Sequence, residues 1–258
     1  MEQLRLNKFL AARLGLSRRE ADDAIAAGKV TVDGKTAVLG ARIDKTSKVC
    51  YNKNIVPFET EYTYIAFNKP VGYVCSRRAQ GAAPTLYELL PPEFQKLKTV
   101  GRLDKDSSGL ILLTNDGDFA FQMTHPKFHK EKIYEVELDH PLEPLHQQMI
   151  SDYGIMLDDG PSKFTVVKQD KNLFSEAFRS AAARELAREP RGDGSERRGL
   201  GKNDSYPLYQ VALSEGRNRQ IRRTFAALGY RVTMLHRTQF GKYELSGLKP
   251  GKYVIIKP

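Results

Sequence analysis

Apolar positions follow two different spacings along this chain. At the start, Leu6, Phe9, Leu10 and Leu14 recur at the three- and four-residue intervals of one helix face, and Gly15 supplies a stop. Ser17-Arg18-Arg19-Glu20 has the form of a capping box: the serine hydroxyl accepts from a free backbone N–H and the glutamate reaches back. Ala21, Ala24 and Ile25 give a second helix its buried face, and Gly28 ends it. Lys29-Val30-Thr31-Val32 reads as a short strand with Asp33-Gly34 as a hairpin turn. Residues 1–60 therefore predict a small unit of two short helices and a hairpin.

The spacing changes near Val56-Pro57-Phe58. From Tyr62 the run Tyr-Thr-Tyr-Ile-Ala-Phe-Asn is aromatic and β-branched, as in a strand. Further strands are expected at 110–113, 133–138, 208–213 and 231–235, with helices over 118–124 and 218–228. This irregular mixture predicts an α+β fold with a mixed, mainly antiparallel sheet over 61–258, not the strict alternation of a doubly wound one. Residues 175–205 fit neither spacing. Their second half is rich in Gly, Arg and Asp, and seven basic and six acidic side chains nearly cancel. They are expected to form a mobile insertion in the larger domain.

Composition narrows the class. Of 258 residues, 40% are hydrophobic and 28% charged, the balance of a globular chain. No apolar run nears the ~20 residues of a membrane span. The first twenty residues lack the uncharged apolar core of an export signal, so the cytoplasm is expected. Cys50 and Cys75 are too few for a disulfide framework and read as reduced thiols. His125, His129, His140, His146 and His236 have no metal-ligand spacing, and no Walker-type glycine loop is present, so no metal is expected. Lys and Arg total 41 against 31 Asp and Glu, a net charge of +10 that points to a polyanion, with nucleic acid the usual one. The excess has two foci: residues 1–60 net +4, and 214–243, with seven basic side chains against one acidic, net +6.

Three stretches carry candidate chemistry. Gly101-Arg102-Leu103-Asp104-Lys105-Asp106-Ser107-Ser108-Gly109-Leu110 is a loop with two carboxylates that enters a strongly apolar strand, followed by an Asn115-Asp116-Gly117 turn. A rigid strand can hold such a carboxylate in a cleft as nucleophile or acid/base, and Arg102 and Lys105 favour its ionised form. On the residues alone, Asp104 reads more readily as a loop residue capping nearby N–H groups. In Ser214-Glu215-Gly216-Arg217-Asn218-Arg219-Gln220-Ile221-Arg222-Arg223, Arg219, Arg222 and Arg223 have the spacing of one helix face. With acidic neighbours scarce locally, the cluster calls for an anion, for which guanidinium forks suit phosphate; a solvated face is the other reading. In Lys132-Ile133-Tyr134-Glu135-Val136, alternation puts Lys132, Tyr134 and Val136 on one face of a strand, and Tyr134 offers a ring to a base or simply packing. Lys8, Arg18 and Arg19 lie on polar helix faces of the first unit, as nucleic-acid contacts or as solubilising charge.

Together these stretches resemble the pseudouridine synthases of the RsuA/RluB/RluE/RluF family. The 101–110 loop resembles its catalytic motif, with Leu-Leu-Thr-Asn-Asp-Gly following; Asn68-Lys69-Pro70-Val71-Gly72 resembles its entry strand; Lys132-Ile133-Tyr134 its tyrosine motif; and 215–223, with Leu235 and Arg237 downstream, its basic motif. Arg5-Leu6-Asn7-Lys8-Phe9-Leu10 and Ser17-Arg18-Arg19-Glu20-Ala21 resemble the S-four-like RNA-binding domain, though Asn7 stands where an acid is common. Ser107-Ser108 replaces the usual threonine of the catalytic motif, and the 175–205 insertion is longer than the family leads one to expect.

The resemblance implies isomerisation of a uridine in RNA, with no redox change and no cofactor. Asp104 is carried over as the catalytic carboxylate at the sugar, Arg222 as the cation paired with it, and Tyr134 as the residue stacked on the extruded base. Arg102, Leu235, Arg217, Arg219 and Arg223 are carried over as substrate contacts, and Lys8, Arg18 and Arg19 as RNA contacts. The implied partner is structured RNA, ribosomal RNA or a ribosome-assembly intermediate, met by a monomer away from membranes. Asp159-Gly160-Pro161 and the Glu-Gly-Arg-Asn-Arg form lean towards large-subunit ribosomal RNA. A transfer-RNA synthase and a non-catalytic assembly factor are the alternatives.

Overall fold

The apolar stripes of the first two helices pack on each other, and that contact organises the N-terminal unit. The computed structural model of the protein describes residues 3–59, 61–77, 81–170 and 207–258; the 175–205 stretch lies outside them. Strand β1 (Leu4–Arg5) leads into α1 (Leu6–Arg13), whose Leu6, Phe9 and Leu10 meet Ala21, Ala24 and Ile25 of α2 (Arg18–Ala26). The capping box forms: Ser17 Oγ accepts from Glu20 N at 3.1 Å and the Glu20 carboxylate from Ser17 N at 2.6 Å. Asn7 is inside α1, not at its cap; its amide donates to the Asp22 carboxylate and ties the two helices together. Strands β2 (Val30–Val32), β3 (Lys35–Thr36), β5 (Val49–Tyr51) and β6 (Asn54–Ile55) form one sheet in the order β3-β2-β5-β6, while β4 (Arg42–Ile43) pairs with β1. This unit's core runs from Leu6 to Val56, with Phe58 packed against it.

A second core begins at Ile65. It covers a nine-stranded sheet made of β7 (Tyr64–Lys69), β8 (Lys98–Val100), β9 (Ser108–Thr114), β10 (Lys132–Leu138), β13 (Thr165–Lys168), β14 (Leu208–Leu213), β15 (Val232–Phe240), β16 (Tyr243–Glu244) and β17 (Tyr253–Ile255). The order is β13-β14-β10-β15-β9-β7-β17, with β16 added to β15 and β8 to β9. Every pairing is antiparallel except β15 with β9, which is parallel. The mixed, mainly antiparallel α+β architecture expected from the sequence is therefore the one found. A separate hairpin, β11 (Ile155–Leu157) with β12 (Gly160–Ser162), lies beside the sheet.

The helices are α3 (Gly117–Thr124), α4 (Pro144–Gln148) and α5 (Gln220–Ala227). Asp116 caps α3 by accepting from Asp118 N and Phe119 N. The expected helix over 218–228 begins two residues late: Arg219 has φ +46° and ψ +31°, a left-handed turn that precedes the helix. The strand expected at 231–235 is longer and runs through a buried polar stretch, His236 and Arg237, to Phe240.

Candidate active site

Pairing of β10 with β15 sets Tyr134 opposite Arg237 and Val136 opposite Leu235. Parallel pairing of β15 with β9 sets Arg237 beside Gly109, at the exit of the two-carboxylate loop. These contacts bring distant segments around one cleft of about 520 Å³. Asp104, Arg102, Tyr134, Leu235, Arg217 and Arg219 all line it, as do Ser107, Lys132 and Arg237. Arg222 and Arg223 do not, and Lys8, Arg18 and Arg19 lie on the N-terminal unit.

The loop is held from behind. Ser107 N donates to Asp104 O in a tight turn, Gly72 N donates to Lys105 O, and Lys69 Nζ donates to Ser107 O at 2.6 Å. Leu103 is fastened to Cys75 through its N–H and carbonyl, each 3.3 Å from Sγ. Burial pushes the Lys69 ammonium down to about 8 and the Cys75 thiol up. Among the described residues, no N–H donates to the Asp104 carboxylate, which is about one-third exposed and turned to the cleft. The capping alternative for Asp104 is thus not what this loop does.

The cation nearest Asp104 is Arg219, with Nη1 at 3.8 Å from its carboxylate. Arg222, expected in that place, is taken up elsewhere: its Nη1 donates to Val232 O at 2.7 Å, its Nη2 to Asp106 O at 2.8 Å, and its Nε lies 3.4 Å from the Asp106 carboxylate. Arg222, the third residue of α5, braces the loop backbone, whereas the left-handed turn at Arg219 directs that side chain to the two acids. For the same reason the three arginines do not share a helix face.

The anions that neutralise this basic stretch come from far along the chain. Asp106 takes Arg219, and Asp159 takes Arg223 at 2.7 Å and Arg217 at 2.8 Å. Arg217 also donates to the carbonyls of Asp159, Gly160 and Pro161, so it clamps the β11–β12 hairpin onto the loop before α5. Ser162 Oγ accepts from Gln220 and Thr224 and locks the hairpin to α5 itself. Arg223 holds Asp159 below the usual carboxylate range. Burial opposes ionisation of Asp106, but Arg219 and Arg222 outweigh it and lower its pKa.

Sequence reasoning assigned no role to Lys132, Asp106 or Arg237. Lys132 is buried in the cleft wall, donates to Lys130 O and Ser214 O, and is pushed down to about 8 by burial and by the Arg237 charge. Its position opposite Phe240 and Leu213 in two pairings was the signal, and it becomes visible only once the strands are aligned. Chemically, the cleft sets the accessible Asp104 carboxylate beside an aromatic ring, an apolar wall and buried cations. No group of three or more metal-ligating side chains occurs among the described residues.

Residues 63–227 match the family of RNA pseudouridylate synthases, and residues 4–45 match the S4 domain. The chain is 34% identical over 97% of its length to the ribosomal small subunit pseudouridine synthase A of Pasteurella multocida, of which it covers 94%. It is 32% identical over 96% of its length to the ribosomal large subunit pseudouridine synthase B of Pseudomonas aeruginosa, of which it covers 58%. A crystal structure of a pseudouridylate synthase aligns with a TM-score of 0.62 at 29% identity, covering 98% of this chain and 96% of that one.

Proposed function

The chain belongs to the RNA pseudouridylate synthase family, and from that membership we propose that it converts a uridine of ribosomal RNA to pseudouridine with Asp104 as the carboxylate at the sugar. The observation that carries the assignment is the Asp104 side chain itself: it is ionisable, open to the cleft, and without an N–H donor among the described residues. Ribosomal RNA is the substrate class because both relatives described above are named for it.

The target base leaves its stack, at a cost of a few kcal/mol, and enters between Tyr134 and Leu235. The C1′–N1 bond breaks and its electron pair departs with the uracil. Asp104 meets the positive charge left on C1′, covalently or electrostatically, as carboxylates do in glycoside cleavage. The base turns, C5 bonds to C1′, the C5 proton leaves to solvent, and N1 takes up a proton in return. Tyr134 supplies the stacking ring and a hydroxyl near the moving proton. The reaction gains and loses no atoms overall.

Arg219 and Arg222 keep the carboxylate loop in place and Asp106 ionised. Arg102, exposed on the rim, and Arg18 and Arg19, exposed on the N-terminal unit, are available to phosphates. Arg217 and Arg223 are engaged by Asp159 and serve the substrate by fixing the hairpin. The large-subunit reading rests, by resemblance, on the Asp159-Gly160-Pro161 stretch that this hairpin contains and on the Glu-Gly-Arg-Asn-Arg form of 215–219, whereas the relative aligned almost end to end carries the small-subunit name. Mapping pseudouridines in both ribosomal RNAs with and without this gene separates the two.

Tritium release from RNA labelled at C5 of uracil tests the reaction. The wild-type protein releases tritium, and Asp104→Asn releases none while still binding RNA. Equal release by both proteins removes Asp104 from its role.

A further inference from the structure

We infer that Arg237 contacts the substrate: its Nη2 donates to a carbonyl oxygen of the extruded uracil and holds the negative charge the base carries once detached. This rests on the isomerase reading above. Arg237 is 2% exposed, in the middle of the sheet. Its Nε donates to Leu110 O at 2.7 Å, its Nη1 lies 3.4 Å from the Tyr134 hydroxyl, and its guanidinium carbon is 4.9 Å from the Phe240 ring centre. Nη2 has no hydrogen-bond partner, yet Arg237 lines the cleft with Asp104, Tyr134 and Leu235. A buried N–H of a charged group is rarely left unpaired, because its lost hydration is then uncompensated. Ser107 Oγ, 1% exposed on the same cleft, is a second buried polar atom without a partner.

The surrounding charges sharpen the case. No carboxylate among the described residues pairs with Arg237. Its charged neighbours Lys69 and Lys132 are also buried cations, and both spend their hydrogen bonds on backbone carbonyls. Of the nearby acids, Glu215 favours the Lys132 charge, and Asp106 is occupied by Arg219. The floor of the cleft therefore holds three buried cations, and Asp104, which lines the same cleft and favours the Lys69 charge, forms an ion pair with none of them.

Uracil supplies what is missing. Its two carbonyl oxygens are acceptors, and after the C1′–N1 bond breaks they share the departing electron pair. A guanidinium already fixed by Leu110 O needs no reorganisation when that charge appears, which is the arrangement that lowers a barrier most. The rigid fork explains why arginine stands here rather than lysine. Tyr134, Leu235 and Phe240 around it form a lining for a planar base; a phosphate would draw its contacts from the exposed rim.

Single-turnover tritium release at saturating enzyme tests this, using C5-tritiated ribosomal RNA from cells lacking the gene. RNA affinity is measured by filter binding over a range of salt. Arg237→Gln is expected to slow release about 10²-fold, and Arg237→Lys, which keeps the charge but not the second donor, at least about tenfold. RNA affinity should stay within about twofold of wild type, with an unchanged salt slope. If Arg237→Gln fails to fold, Arg237→Lys carries the same test, with its melting temperature as the control. An unimpaired Arg237→Lys beside an active wild type overturns this contact alone. So does a loss that appears as weaker, less salt-sensitive binding, the mark of a phosphate contact. A wild type that releases no tritium overturns the isomerase reading and this inference with it.

Discussion

Arg219 grips the Asp106 carboxylate with two parallel hydrogen bonds, Nη1 at 2.9 Å and Nη2 at 2.8 Å, and the same Nη1 stands 3.8 Å from Asp104. Asp106 thus keeps a strong cation close to Asp104 without letting it close on the carboxylate. In Asp106→Asn the guanidinium loses its fork partner, and Asp104 is the nearest remaining acid. Closure on Asp104 would occupy the oxygens that the proposed reaction needs at the sugar. Single-turnover release is expected to fall tenfold or more, on the order of the loss that a misplaced reacting group causes. RNA binding, with one negative charge fewer, should be unchanged or tighter. A variant with normal release would show that Asp106 has no part in setting the Asp104–Arg219 distance.

Gly109 is predicted to tolerate no side chain. Its φ is +106°, and a β-carbon there would fall 2.2 Å from Arg237 O and 2.5 Å from Arg237 N, both backbone atoms that cannot move aside. That approach is the parallel pairing that seats the Asp104 loop against β15. Gly109→Ala should cost at least about 3 kcal/mol, or a fall of about 6–12 °C in melting temperature for a chain of this size. A melting temperature within about 2 °C of wild type would contradict the pairing.

How far the sequence disclosed this arrangement depended on range. The capping box at Ser17 and Glu20, the apolar strand now seen as Ser108–Thr114, and the Asp116 turn are set by neighbours a few residues apart, and each formed. The Arg219 turn was illegible because its cause lies elsewhere: its acid partner is 113 residues upstream, and Arg223 finds Asp159 across 64 residues. Helical spacing therefore put Arg219, Arg222 and Arg223 on one face, which the left-handed turn at Arg219 breaks. Strand β15 was cut short at Leu235 because apolar alternation ends there; His236 and Arg237 are buried only because Ser108 and Leu110 O receive them. Asp104 was legible as a motif, but its freedom from capping was not, since that depends on which N–H groups the folded loop presents.

His236 predicts the acid limb of the stability profile. The ring is 1% exposed, its Nδ1 lies 2.8 Å from Ser108 Oγ, and burial lowers its pKa from 6.5 to about 4. The unfolded chain takes up a proton near pH 6.5 that the folded chain refuses until about pH 4. Stability is therefore complete above 6.5 and declines as pH falls from 6.5 to 4, by up to about 3 kcal/mol. Melting temperatures measured across that window should drop for the wild type, and His236→Asn should flatten the slope there even if it is less stable at pH 7. An equally steep slope in His236→Asn would assign the acid limb to other groups.

The N-terminal unit is expected to read its use of charge out in salt dependence. Lys8 Nζ is paired with the Asp118 carboxylate of α3, and Lys98 Nζ donates to Leu16 O at 2.6 Å, so the two units are joined by charges that an RNA phosphate could compete for. Arg18 and Arg19 are exposed beside that junction. Each phosphate contact releases counterions and adds about 0.7–0.9 to the slope of log affinity against log salt. Replacing Lys8, Arg18 and Arg19 together by alanine should therefore lower the slope by about 1.4–1.8, the share of the two arginines that Asp118 does not hold, while leaving single-turnover release at saturating enzyme near the wild-type rate. Asp118→Asn frees Lys8 and should move the slope the other way, by up to about one contact. The opposite signs matter, because a merely destabilised N-terminal unit would weaken binding in both variants. If neither slope moves, the positive charge of the first sixty residues is not spent on phosphates, and the grip on RNA belongs to the catalytic cleft and its rim.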